Sequence, residues 1–246
     1  MKNYLLVLIL LSFCSITASC NYNPKDSKSS NSEYVPLSSL CEKYTSDKCP
    51  KGHNYTEVYE LFFHPIKDKA KKIMEIGIAQ GASLNLWRNY FPNATIYGID
   101  IFDMSNFNSN YIKTFKGDQA KREDLQKFIS THGDNFDIIL DDGGHTMEQQ
   151  QISLGFLFRY VKPGGYYIIE DVHTSLPSFK KEFWPAQDET TTTLTMILNF
   201  IKTKSIQSKY LTNEEMTYLS RSVEFCNLFM NNIQFDSMTC IFKKRL

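Results

Sequence analysis

The sequence predicts an α/β domain: a mostly parallel sheet, closed at its C-terminal end by an antiparallel hairpin and covered by helices on both faces. From Lys72 onward, short apolar runs alternate with longer segments of helical periodicity, and no repeat of fixed period interrupts them. Glycine or acidic residues stand at the ends of successive apolar runs, at Gly77, Asp100, Asp141 and Glu170. Two β-rich stretches finish the chain, close enough to pair across Asn231-Asn232-Ile233. With 246 residues, 42% of them hydrophobic, the chain can bury one sizeable core and carry a short appendage.

Taken in order, Ile73 to Ile76 is the first strand, and Ala82 to Tyr90 is a helix that buries Leu84, Leu86 and Trp87. Thr95 to Ile99 and Tyr111 to Phe115 are the second and third strands. Ala120 to Ser130 is a helix with Leu125, Phe128 and Ile129 at helical spacing, and Phe136 to Leu140 is a fully buried strand ending in acid. A helix over Met147 to Val161 ends at Pro163-Gly164-Gly165, where proline cannot continue it, and Tyr166 to Ile169 is the fifth strand. After a long connection and a helix over Leu194 to Lys202, Ser222 to Met230 and Ser237 to Lys243 form the hairpin. The segment Phe179 to Thr193, with Trp184 and four consecutive threonines, is where a substrate lid is expected.

The first forty residues differ in character. Lys2 precedes an apolar run from Tyr4 to Phe13 and the small polar residues around Thr17 and Ser19, so residues 1–20 read as a signal peptide or membrane anchor. The end of this segment resembles a lipobox, with Cys20 as the candidate lipid-bearing residue, although Thr17 stands where a branched aliphatic residue is usual. The expectation is therefore a membrane-anchored or exported domain. The alternative is an uncleaved anchor with the domain in the cytoplasm. Residues 21–40 read as a polar tether, leaving 41–246 as the folded domain. Cys41, Cys49, Cys226 and Cys240 remain beyond the leader, an even number that permits disulfides in an oxidising compartment without requiring them. A symmetric hairpin turn sets Cys226 opposite Cys240. Lys plus Arg and Asp plus Glu both count 27, with no basic block, which argues against a nucleic-acid partner.

Ligands of open α/β sheets bind beyond the carboxyl ends of the strands. Glu75 and Gly77 end the first strand and Gly81 opens the next helix, so backbone can approach a ligand closely. Asp100 ends the second strand, where a carboxylate can accept both ribose hydroxyls, and Asp118 in Gly117-Asp118-Gln119 follows the third. The glycine loop and Asp100 are shared between NAD-binding and S-adenosylmethionine (SAM) binding folds. The antiparallel hairpin favours the Rossmann-like class I methyltransferase layout, because a dinucleotide dehydrogenase keeps its last strands parallel. Asp141-Asp142-Gly143-Gly144-His145 ends the fourth strand and Glu170-Asp171-Val172-His173 the fifth. Carboxylates gathered at adjacent strand ends repel unless something positive sits among them, and such oxygen-rich clusters suit Mg²⁺. Asp142, Glu170 and Asp171 are the candidate metal ligands. His145, three residues beyond Asp142, is near enough to take a proton from a hydroxyl held there.

The segments Asp47-Lys48, His53-Asn54-Tyr55-Thr56-Glu57-Val58-Tyr59-Glu60, Met74-Glu75-Ile76-Gly77, Gly81-Ala82-Ser83-Leu84, Trp87 and Phe91-Pro92 occur in one order. Gly98-Ile99-Asp100, Gly117-Asp118-Gln119, Asp141 to His145 and Ile169-Glu170-Asp171 continue it. This string resembles the macrolide-sugar O-methyltransferases of the demethylmacrocin and mycinamicin type over residues 44 to 175. The resemblance implies Mg²⁺-dependent methyl transfer from SAM to a hydroxyl of a sugar or glycosylated natural product. Asp142, Glu170 and Asp171 would hold the metal, with Asp142 and His145 catalytic and His145 the general base. Glu75, Gly77, Gly81, Asp100 and Asp118 would hold the cofactor, and Tyr55 with its helix would help close its site. Two departures stand out: Gly144 replaces the family's usual serine, and only a leader and tether precede Tyr44, which leaves substrate size and homo-oligomerisation open. Two other readings remain, a surface-anchored methyltransferase-like binding protein without turnover and an NAD-linked enzyme.

Overall fold

The structure, a computed structural model, describes residues 35–183, 192–232 and 236–246. The expected leader and most of the tether, together with Trp184 and the first two of the four threonines in the expected lid, lie outside the described residues. The compact unit of the described residues begins at Val35, and Leu37 is fully buried in it with its N–H bonded to Glu60 at 2.6 Å.

The elements run α1 (Tyr55–Phe63), β1 (Lys72–Ile76), α2 (Ala82–Tyr90), β2 (Thr95–Asp100), β3 (Ile112–Lys116), α3 (Arg122–His132), β4 (Phe136–Asp141) and α4 (Met147–Leu157). They continue as β5 (Val161–Ile169), the single turn α5 (Lys180–Phe183), α6 (Thr193–Thr203), α7 (Asn213–Ser222), β6 (Val223–Asn232) and β7 (Ser237–Lys244). The seven strands lie in the order β3-β2-β1-β4-β5-β7-β6. The first five run parallel, and β7 pairs antiparallel with both β5 and β6. This is the predicted α/β sheet with its terminal hairpin.

The pleat sends alternate residues to opposite faces, and each face has its own core. Met74, Ile76, Phe136 and Ile139 join Phe128, Leu154, Ile197 and Leu219 from α3, α4, α6 and α7. Ile73, Ile138 and Leu140 join Tyr59, Phe63, Leu84 and Trp87 from α1 and α2. Every residue of β4 is buried, as a central strand covered on both sides requires. Among the described residues no helix is long and apolar enough to cross a membrane.

Three local expectations are corrected. The helix over Met147 to Val161 stops at Leu157 and tightens into a 3₁₀ turn, and Pro163-Gly164-Gly165 lies inside β5. The β4–β5 pairing jumps from Phe136↔Val161 to Ile138↔Tyr166, an irregularity in which Gly164 supplies a φ of +76°. Helix α7 had no counterpart in the periodicity reading; its signal is Thr212 with Glu215 three residues on, a capping box that the structure contains in full. In the hairpin, Cys226 pairs with Phe242 and Leu228 with Cys240, so the two cysteines are diagonal and not opposite. Met230 pairs with Met238, so the strand register is centred one residue later than a symmetric turn about Ile233 would place it. The sulfurs of Cys226 and Cys240 nevertheless lie 3.2 Å apart as free thiols, whereas Cys41 and Cys49 form a disulfide.

Glu215 also ties α7 to α3. Its carboxylate accepts two bonds from the Arg122 guanidinium, at 2.8 and 2.6 Å, and one from the Thr212 N–H. Burial raises its pKa, but these donors outweigh burial and hold it below the usual carboxylate range. Glu215→Ala is expected to cost about 1–3 kcal/mol in denaturant unfolding at pH 7. A depressed pKa contributes stability above the unfolded-state value, and that stability disappears as pH falls through the folded-state value. The difference between variant and parent should therefore shrink on acidification below about pH 4.5.

Candidate active site

Strand order reverses between β1 and β4, and a cavity of about 420 Å³ opens at the carboxyl ends of these strands. Of the predicted cofactor residues, Gly77, Asp100 and Asp118 line it, joined by Asp142, Gly143 and Gly144 from the β4 end. Gly77 has φ +85°, and a side chain there would be driven into the Asp142 carbonyl oxygen, so this position brings the two strand ends into backbone contact. Asp100 organises the loop itself. One oxygen accepts from the Ile78 and Ala79 N–H groups at 2.8 and 3.4 Å, and the other accepts from Phe102 at 2.9 Å. Asp118 accepts from the Ala120 N–H at 2.9 Å in a turn, while still facing the cavity.

The other three predicted cofactor residues lie off the cavity wall. Gly81 packs against the Phe107 ring at the start of α2. Glu75 is fully buried beneath the floor, accepts from the Ser83 hydroxyl at 2.7 Å and is pushed up by burial to a pKa of about 7. Tyr55 is buried at the first turn of α1, and its hydroxyl donates to Asp171 at 2.5 Å.

The acidic strand ends converge as the parallel pairing of β4 with β5 requires. The Nε2 of His145 lies 3.4 Å from an Asp171 oxygen and 3.9 Å from Asp142 Oδ1. Asp142, His145 and Asp171 each offer a ligand atom, all within 4.8 Å of one another. Glu170 sits behind this group, its Oε2 accepting from Lys48 Nζ at 2.9 Å and its Oε1 from the Tyr59 hydroxyl at 2.7 Å. Thus two of the three predicted metal ligands face the opening, and the third is engaged from the interior. His145 and Asp171 have φ of +59° and +53°, and Ala79, in the loop after β1, has +45°. Left-handed backbone in non-glycine residues costs of order 1 kcal/mol each and is retained where surrounding structure imposes it, which is common at functional sites.

The sequence reading gave no role in this site to Lys48, although Asp47-Lys48 opens the string that carries the resemblance. A lysine in a polar loop is ordinarily solvated; here it is 1% exposed. Its ammonium is paired with Asp142 Oδ2 and lies 3.6 Å from Glu75. Burial opposes its charge, but Asp142, Glu170 and Glu75 more than offset that and raise its pKa well above the usual lysine value. Burial raises Asp142 and Glu170, whereas His145 and the Tyr55 hydroxyl outweigh burial at Asp171 and lower it. Gln119 is a second unassigned residue. Its amide donates to Asp141 at 2.9 Å and accepts from the Gly144 N–H at 2.8 Å, stitching the β3 loop to the β4 loop.

Oxygen-rich donors suit a hard divalent cation. One fixed ammonium serves three carboxylates, Glu75, Asp142 and Glu170, while Asp171 joins Asp142 and His145 in a second group of ligand atoms. The chemistry of the donor set therefore fits Mg²⁺. The Nδ1 of His145 is buried without a hydrogen-bond partner among the described residues. At Gly144, a side chain would meet Gln149, whose Oε1 accepts from the Thr146 N–H and hydroxyl at 3.2 and 2.8 Å to cap α4. The missing serine thus makes room for a capping glutamine.

Gly77→Ala is expected to destabilise the fold by about 3 kcal/mol or more, combining positive-φ strain with a backbone clash. Denaturant unfolding checks this, and a loss below about 1 kcal/mol would contradict the close approach of the two strand ends.

No family profile matches the chain. It is 34% identical over 160 residues to L-olivosyl-oleandolide 3-O-methyltransferase of Streptomyces antibioticus, covering 62% of this chain and 39% of that protein. It is 35% identical over 156 residues to mycinamicin VI 2''-O-methyltransferase of Micromonospora griseorubida, covering 61% and 37%. The solved structure of MycE methyltransferase from the mycinamycin biosynthetic pathway, in complex with Mg, SAH and mycinamycin VI, matches with a TM-score of 0.70 and 27% identity over 86% of this chain and 55% of that one. The chain spans well under half the length of these curated relatives. It has the class I methyltransferase fold and, over that domain, is similar to the macrolide-sugar O-methyltransferases.

Proposed function

We propose that this protein transfers the methyl group of SAM to a hydroxyl of a sugar or glycosylated natural product, with Mg²⁺ at Asp142 and Asp171 and with Glu170 set behind them. One observation carries the reading: Asp142 belongs both to the wall of the cofactor-sized cavity and to the open group with His145 and Asp171. An acceptor hydroxyl placed at that group lies beside anything bound in the cavity. The named relatives are sugar O-methyltransferases, which supports the same chemistry.

When bound, Mg²⁺ would lower the cost of ionising the acceptor hydroxyl, and SAM would supply a methyl group already activated on a sulfonium. The chain provides alignment and a proton acceptor. Asp171, fixed by Tyr55, faces His145 Nε2 and stabilises the imidazolium that forms when that nitrogen takes the hydroxyl proton. Gly77, Gly117 and Gly143 line the cavity, and their missing side chains let the strand-end loops pack closely against Asp142, Ile99 and Gln119 around it. Phe183 lies edge-on to His145 with ring centroids 6.4 Å apart, and Phe179 lies edge-on to His173 at 5.0 Å. These rings bound the acceptor side with apolar surface suited to a sugar face.

The Cys41–Cys49 disulfide supports a domain in an oxidising compartment, the setting expected of an exported domain, since such bonds persist there. Mass measurement of protein from its native host, with and without reductant, checks this; free thiols at both positions would favour a domain facing the cytoplasm.

For the activity, methyl transfer to acceptors bearing a free sugar hydroxyl should require Mg²⁺ and cease on chelation. His145→Ala should lower kcat by roughly 10²–10⁴ while leaving SAH affinity within a few-fold. Undiminished turnover by Asp142→Ala in excess chelator would refute the metal role.

A further inference from the structure

Four carboxylates meet at the ends of β1, β4 and β5, and the fold contains a cation for them before any ion is added. Lys48 Nζ pairs with Asp142 Oδ2, lies 2.9 Å from Glu170 Oε2 and 3.6 Å from Glu75 Oε1. It contacts none of the three through an exposed rim, because its side chain is 1% exposed. The opposite oxygen of Asp142 faces His145, and Asp171 is held separately by Tyr55 and His145. Asp142 therefore stands between two compartments: an inner one neutralised by lysine, and an outer one open to the cavity.

The delivery of Lys48 is built into the chain. The Cys41–Cys49 disulfide closes the loop immediately after it. The His53 N–H donates to the Asp47 carbonyl at 2.7 Å, and the Thr56 N–H donates to the Lys48 carbonyl at 3.1 Å, which joins the loop to the first turn of α1. From the same helix, Tyr59 donates to the other oxygen of Glu170. One clamped segment thus brings two donors to a buried carboxylate at the carboxyl end of β5.

We propose that Lys48 is a resident counter-cation and positioning residue, which holds the carboxylate cluster together without a metal and turns Asp142 so that its free oxygen addresses the divalent-ion site. The inference rests on the metal site of the proposed function. Burying like charges without a partner is strongly unfavourable, so without Lys48 the cluster must draw its compensation from the bound ion. A lysine that merely filled space would lower stability without altering the response to metal.

Thermal melts of the full-length protein and Lys48→Met, each in chelator and in saturating Mn²⁺, test this, with Mn²⁺ binding followed by electron paramagnetic resonance. The melting temperature of Lys48→Met in chelator should fall well below the parent's, and its Mn²⁺-induced rise should be at least twice the parent's. Lys48→Arg, which keeps the charge, should respond to Mn²⁺ more like the parent. If Lys48→Met does not fold in chelator, recovery on adding Mn²⁺, or in the double variant with Glu170→Gln, supports the inference; failure of both overturns it. Equal Mn²⁺-induced shifts in parent and Lys48→Met also overturn it. Absence of Mn²⁺ binding to either protein would instead overturn the metal assignment on which it rests.

Discussion

Negative charge concentrated at the carboxyl ends of three neighbouring parallel strands is the constraint that the rest of the site answers. Parallel strands lie about 4.8 Å apart, so acids ending β1, β4 and β5 cannot avoid one another. Glu75, Asp141, Asp142, Glu170 and Asp171 are accommodated by different partners. Lys48 reaches three of them, Tyr59 and Tyr55 donate to Glu170 and Asp171, and Gln119, Ser153 and Tyr167 donate to Asp141. Asp141 is still raised to a pKa of about 6, because burial exceeds what its neutral donors return.

That answer explains why α1 and the loop before it belong to the active domain although they precede the first strand. Tyr55 and Tyr59 lie four residues apart on one face of α1, and both side chains present an aromatic body to the core and a hydroxyl to a carboxylate. Removing this segment would leave the strand ends with uncompensated charge. The Tyr55 hydroxyl also accepts from the Asp171 N–H, and the Thr174 hydroxyl donates to the His145 carbonyl, tying down both left-handed positions; such support favours aligning an acceptor oxygen over rearranging during turnover.

Much of the architecture was legible from periodicity. Ala82 to Tyr90 and Thr95 to Ile99 are bounded as read to within a residue, because the apolar spacing and the glycine and acid signals agree there. Legibility failed where a local signal competed with tertiary pairing. Pro163-Gly164-Gly165 looks like a break, yet β5 carries it as an unpaired irregularity, because β4 pairs with Val161 before it and with Tyr166 onward after it. The offset of Cys226 from Cys240 likewise follows from a strand register, Met230 opposite Met238, that no composition rule marks.

By itself the sequence determined the α/β sheet, its antiparallel close and the identity of the acids at the strand ends, since hydrophobic period and the residues that end each run are local properties of the chain. It also posed the electrostatic problem, in that Asp142, Glu170 and Asp171 demand positive charge. Tertiary structure decided what meets that demand. Lys48 lies 94 residues from Asp142 and 122 from Glu170, and only the packing of α1 and its disulfide-closed loop over the sheet brings it there. Contacts of that separation are set by the folded core and not by the spacing of neighbours along the chain. For the same reason, which predicted residues line the cavity and which lie beneath it was settled only by the fold.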